Sequence, residues 1–168
     1  MNQDLSIRKL VTAALLAALI CAATFAVAIP TPGGGYVNPG DAVILFSSWL
    51  LGPLWGAAAA GIGSALADVL AGYAIYAPGT LVIKALMGLV AGLLMRHHSN
   101  NFKVIVVISI LTEVIMILGY FFYESLILGI GSGAFAAIPG NCVQGVFAAI
   151  AGPALILALS KTPIRRIF

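Results

Sequence analysis

Five ionisable side chains sit where this sequence is otherwise apolar. Lys84 falls inside the run 80–96, Asp68 near the end of 54–72, and Glu113 midway along 103–125. Glu124 closes that third run, and Asp41 opens a shorter one at 41–52, where it reads as a helix N-cap. Amides and phenols accompany them. Tyr120 and Glu124 are four apart, and Asn141 and Gln144 three apart, so each pair shares a helical face. Charged groups in an apolar segment are costly and therefore mark a ligand or ion path. The chemistry on offer is recognition of a small polar solute, with Lys, Asp, Glu, Asn and Gln as hydrogen-bonding groups.

The elements that must position these groups are membrane-spanning helices. Hydrophobic residues make up 62% of the 168-residue chain and charged ones only 8%, with a mean hydropathy of +1.14. A soluble domain carries about 25% charged residues, so no water-facing surface can be built from this composition. The runs predict helices at 7–29, 41–52, 54–72, 80–96, 103–125 and 139–160, an all-α polytopic bundle forming one domain over 1–168. Arg8 and Lys9 precede the first run, Arg96 and Lys103 flank the middle, and Lys161, Arg165 and Arg166 close the chain. Six spans put all seven on one face, together with both termini, and the positive-inside rule makes that face cytoplasmic. The net charge of +3 therefore belongs to loops and implies no nucleic acid. Met1 to Ala28 has some features of a signal peptide, with Ala26-Val27-Ala28 resembling a cleavage site. The run from Leu10 to Ile29 is nevertheless long enough to span.

With that topology the polar groups gather in the outer half, on several helices. One reading is an Asp68–Lys84 ion pair that stitches helices 3 and 4 together. It leaves Glu113, Glu124, Asn141 and Gln144 unexplained, whereas a cavity open to the outside accounts for them all. All five tyrosines, Tyr36, Tyr73, Tyr76, Tyr120 and Tyr123, fall on the outer side. An interfacial aromatic belt explains part of that, and stacking surfaces around a flat heterocycle explain the rest. The loop Pro30-Thr-Pro-Gly-Gly-Gly-Tyr-Val-Asn-Pro39 mixes rigid and permissive residues, as a lid requires, and carries Tyr36 and Asn38.

Other chemistries find no support. There is no G-x-x-x-x-G-K-[ST] for a P-loop. Gly131-Ser132-Gly133 has no base near it, because His97 and His98 fall on the opposite face. Those histidines and the distant Cys21 and Cys142 form no metal set, and the cysteines, both in apolar runs, suggest no disulfide. Small residues recur every four positions at Ala14, Ala18, Ala22 and Ala26, and again at Gly56, Ala60 and Ser64. Such faces allow close helix approach in lipid. The second stripe reads as packing inside the bundle. The first, beside Arg8-Lys9, reads equally as bundle packing or as contact with a partner protein.

Several segments carry a family resemblance over nearly the whole chain: the alanine-rich helix 1 behind Arg8-Lys9, Gly35-Tyr-Val-Asn-Pro-Gly-Asp41, Leu51-Gly-Pro-Leu-Trp-Gly56, and Ala77-Pro-Gly-Thr-Leu-Val-Ile-Lys-Ala-Leu-Met-Gly88. In these the chain resembles the substrate-binding S components of energy-coupling factor (ECF) vitamin transporters, in the riboflavin and hydroxymethylpyrimidine group. The resemblance implies a six-helix subunit of the cell membrane that captures a vitamin or precursor from outside, with loop 1 as gate. It implies docking through Ala14, Ala18 and Ala22 on a transmembrane coupling subunit. Two cytoplasmic ATPases would use ATP-Mg, so this chain would need no cofactor or metal and would be no enzyme. The rim lacks tryptophan, since Trp49 and Trp55 map to the inner half, which favours hydroxymethylpyrimidine or a pyridoxine-like B6 vitamer over riboflavin or another B vitamin. In that reading Lys84 and Asp68 set the polarity, Glu113 and Asn141 bond ring substituents, and Tyr36 and Tyr120 stack or cap. Asn38, Tyr76, Glu124 and Gln144 complete the site. The competing class is a self-sufficient proton-coupled carrier using Glu113. The chain shows no convincing inverted repeat for it and is short for that mechanism. A membrane scaffold would not need the polar cluster at all.

Overall fold

The computed structural model describes residues 3–32, 34–98 and 101–162. Arg165 and Arg166 of the basic C-terminus lie outside the described residues. Within them the chain forms α1 (Gln3–Ala26), α2 (Gly40–Leu51), α3 (Pro53–Leu70), α4 (Ala77–His98), α5 (Phe102–Phe122) and α6 (Ile138–Ser160). The only strands among the described residues are a two-stranded antiparallel hairpin, β1 (Ile29–Pro30) with β2 (Tyr36–Val37), in the first loop. This is the all-α polytopic bundle the hydropathy runs predict. Five helical stretches are long and apolar enough to cross a membrane, whereas Gly40–Leu51 is too short.

That short helix explains much of the architecture. Twelve residues rise about 18 Å, well under the roughly 30 Å of a bilayer core. The rest of its path is made by the hairpin above it and the Gly52-Pro53 turn below. Irregular backbone at such depth survives only when protein surrounds it. Here α2 is buried along nearly its whole length and packs on α1, α3, α4 and α6. Ile44, Leu45, Phe46 and Trp49 form the centre of the core, met by Leu16 and Ile20 of α1, Met95 of α4 and Ile156 of α6. Gly52 makes the turn possible with φ +78°, a conformation that costs a side chain and costs glycine nothing. Pro53 then starts α3 at a position where no N–H is needed.

The two small-residue stripes differ in use. On α3, Gly56, Ala60 and Ser64 are buried against neighbouring helices. On α1, Ala13, Leu16, Ala17 and Ile20 face the bundle, while Ala14, Ala18 and Ala22 point away from it. Only 22% of the α1 span is buried, the smallest share among the five spans.

Lys9 and Arg96 line one hollow with the Gly52-Pro53 turn and both tryptophans, at the end of the bundle opposite the hairpin. This matches the end-to-end separation of charge that the sequence predicts. α4 passes so close to the turn that a Cβ on Gly92 would lie 2.6 Å from the Pro53 Cα. Backbone cannot yield as a side chain can. Gly92→Val is therefore expected to destabilise the purified protein by about 1–3 kcal/mol, read as a lowered melting temperature in detergent. An unchanged melting temperature would show that α4 and the turn are not in contact.

Candidate functional site

The polar side chains of the outer half converge, and the α2 helix is their hub. Asp41 lies in the first turn of α2, 1% exposed. Its Oδ1 receives the Lys84 ammonium of α4 at 2.5 Å, and its Oδ2 receives Nε2 of Gln144 from α6, also at 2.5 Å. The sequence reading of Asp41 as an N-cap is corrected: Pro39 occupies that position and makes no side-chain cap bond. The Asp68–Lys84 ion pair is corrected as well. Asp68, on α3, instead accepts the Tyr36 hydroxyl at 2.6 Å, while the charge of Lys84 is met by Asp41. The physical reason is depth. α2 begins beneath the hairpin rather than at the bundle surface, which brings its first acidic residue level with Lys84.

The hairpin is latched onto this hub by two side chains. Tyr36 reaches Asp68, and the Asn38 backbone N–H donates to Oε1 of Gln144 at 2.8 Å. The Asn38 side chain turns back to accept from the Gly40 N–H at 2.9 Å, which joins the hairpin to the start of α2. Gly40 has no room for a side chain, since a Cβ there would run into the Thr24 hydroxyl of α1. Gln144 thus uses its oxygen for the loop and its nitrogen for Asp41, and couples the gate to the buried charge.

Aromatic rings close the outer end. Tyr36 and Tyr73 have ring centroids 4.8 Å apart, and Tyr73 to Tyr76 and Tyr76 to Tyr123 are each 6.4 Å. Tyr120 exchanges a hydrogen bond with Thr80 at 2.9 Å and lies 5.4 Å from the Lys84 ammonium, which faces its ring. Tyr76 donates to Glu124, carried on the π turn Tyr123–Ile127 that ends α5. Burial, reinforced by Asp68, pushes the Tyr36 phenol far above its usual range, and burial with the Glu124 charge pushes Tyr76 up to about 12. Both stay neutral donors at any physiological pH.

Between these groups lies a narrow cavity of about 30 Å³. Of the residues expected in the site, Tyr36, Asn38, Asp68, Tyr76, Lys84, Tyr120, Asn141 and Gln144 line it. Glu113 and Glu124 do not. Glu113 is buried behind the wall beside Gly145, with neither oxygen hydrogen-bonded, and Glu124 stands behind Tyr76. Sequence reasoning missed Thr24, Thr31, Ser64 and Thr80, which with Gly35 complete the lining. Two of them carried a signal. Ser64 precedes Asp68 by one helical turn, and Thr80 stands between Tyr76 and Lys84 at the same four-residue spacing. Thr24 and Thr31 carried none.

The bundle thus encloses a polar cavity beneath the hairpin at one end. Known proteins make the class specific. The family model described as "ECF-type riboflavin transporter, S component" matches residues 4–161, and the chain belongs to that family. It is also 39% identical over 139 residues, 82% of this chain and 92% of the other, to a Pyrococcus woesei protein described as "Uncharacterized protein in gap 3'region". The chain is thus a membrane-embedded transport subunit of the ECF type, one that captures substrate for a vitamin importer.

The buried ion pair gives a direct test of the corrected pairing. Lys84→Met should cost about 3–5 kcal/mol, because it strands a buried carboxylate. Adding Asp41→Asn should recover most of that loss, and adding Asp68→Asn should not. Equal rescue by Asp68→Asn in chemical denaturation would return the pair to helices 3 and 4.

Proposed function

We propose that this chain is the high-affinity capture subunit for a small water-soluble vitamin or precursor, with hydroxymethylpyrimidine or a pyridoxine-like B6 vitamer as cargo. The observation that carries this reading is the polar cavity beneath the hairpin, closed by Tyr36 on Asp68 and Asn38 on Gln144. Its open space holds roughly two waters, so cargo enters only when those two latches release. Tyrosines line it and tryptophan does not; Trp49 and Trp55 stand at the opposite end. A rim of tyrosines without tryptophan supports a single ring over the three fused rings of a flavin. Riboflavin remains the second reading because the matching family is described by that vitamin.

The site faces the outside of the cell membrane in this proposal, since the basic residues mark the other face as cytoplasmic. No catalytic group and no cofactor are assigned to the chain. Energy comes from two ATPases using ATP-Mg, reached through a transmembrane coupling subunit. The outward-facing Ala14, Ala18 and Ala22 on the least buried helix are the docking face for that subunit. A different class is favoured by one observation: Glu113, buried with both oxygens unpartnered, is the kind of group a proton-coupled carrier uses.

Calorimetric titration of the detergent-purified chain with hydroxymethylpyrimidine, pyridoxine, pyridoxamine, riboflavin, thiamine and pantothenate separates the cargoes. Tight binding of one of the first three, with no other subunit present, is the expected result. Binding of riboflavin alone would transfer the assignment to the second reading. In cells, Ala18→Leu should abolish uptake while the purified variant still binds. Uptake by the reconstituted single chain under a proton gradient would instead establish the carrier.

A further inference from the structure

The outer half of the bundle is short of donors and rich in acceptors. Four of the five acidic residues, Asp41, Asp68, Glu113 and Glu124, are buried there, with Lys84 as the one ammonium among them in the described residues. That cation is committed: it sits 2.5 Å from Asp41, whose other oxygen is taken by Gln144. The Tyr36 hydroxyl is committed to Oδ1 of Asp68. What remains unmet on the cavity wall is Oδ2 of Asp68 and, one turn earlier on α3, Oγ of Ser64. Both residues are more than nine-tenths buried, both line the cavity, and neither atom has a hydrogen-bond partner in the protein. Behind the wall Glu113 and Glu124 add further unpartnered oxygens. Buried acceptors left unpaired are expensive, and a ligand that satisfies them gains what the empty protein lacks.

We propose that the cargo is a compact nitrogen heterocycle that presents a donor-bearing nitrogen, an amino or ammonium group, to Asp68 Oδ2 and Ser64. This rests on the capture-subunit reading and adds the polarity of the ligand edge. A carbonyl, carboxylate or bare ring nitrogen at the same place could take a proton only from the Ser64 hydroxyl and would leave Asp68 Oδ2 unmet, inside a field already negative. The Asp68–Tyr36 contact makes the arrangement responsive. The carboxylate that receives the ligand also holds the gate, so one residue senses occupancy and closes the hairpin.

The test keeps one ring and varies one substituent. Pyridoxamine, pyridoxine, pyridoxal and pyridoxic acid carry ammonium, hydroxyl, aldehyde and carboxylate on a common pyridine, and hydroxymethylpyrimidine pairs with its analogue lacking the 4-amino group. In calorimetric titration of the full chain, the amino-bearing member of each binding series is expected to be tighter than its acceptor-bearing or unsubstituted counterpart by about tenfold or more. Asp68→Asn is expected to compress that ratio toward one. Ser64→Ala, which leaves the carboxylate and the gate in place, should narrow it partway and covers the case in which the Asp68 variant does not fold. Equal or inverted affinities in a series that binds, or a ratio unmoved by both variants, would overturn the inference while leaving the capture reading intact. If riboflavin alone binds, the inference is overturned, since a flavin is neither compact nor amino-bearing, while the capture reading stands. Silence across every ring overturns both.

Discussion

The contact on which the rest of this structure depends is the buried ion pair between Asp41 and Lys84. Neither charge could stay at that depth alone, because the membrane interior offers no water to solvate it. Pairing forces α2 and α4 into register at their outer ends, and the second oxygen of Asp41 brings in α6 through Gln144. Three helices are thereby fixed around one carboxylate. Such a pair contributes little net stability over a well-packed apolar triad. What it provides is specificity of arrangement, since a shift by one turn would strand both charges.

The same cluster seats the hairpin. Gln144 can orient its amide one way only, because its nitrogen must face Asp41 and its oxygen is then left to hold the Asn38 N–H. The hairpin is therefore seated by a group whose orientation is dictated by the buried charge. Tyr36, two residues earlier on the same arm of the hairpin, rests on Asp68, which has no such commitment to the ion pair. The two latches differ in kind. One is rigid and belongs to the scaffold, and the other hangs from a carboxylate that still has an unfilled oxygen.

Much of this was legible in the residues. Run lengths place the helices because a bilayer demands a minimum of apolar length, and the basic residues mark one end because they cannot cross. Every tyrosine and amide assigned to the outer end is found there. The pairing was not legible. Spacing along one helix shows which side chains share a face, as with Tyr120 and Glu124, but says nothing about which helices adjoin. Asp41 was misread because an acid at a helix start is ordinarily a cap. Its true role follows from the depth of α2, which is set by the hairpin above it and by the length of α2 itself. Glu113 was legible as buried but not as lying behind the cavity wall, since that depends on Gly145 of α6 letting it pass.

The two ends and the outer face of the bundle are thus built on different rules, and the division bears on how such a subunit can work. Polar groups that must be satisfied hold the hairpin end in a single arrangement, while at the opposite end Lys9, Arg96 and both tryptophans line a hollow around the Gly52-Pro53 turn. Between them α1 leaves most of its surface uncovered and presents Ala14, Ala18 and Ala22 beside exposed Leu15 and Leu19. In lipid a face of that kind gains by close approach to another helix and loses almost nothing when the helix leaves, because it carries no polar group to strand. The charge network joins α2, α4 and α6, and α1 approaches it through Thr24, which lines the cavity and abuts Gly40.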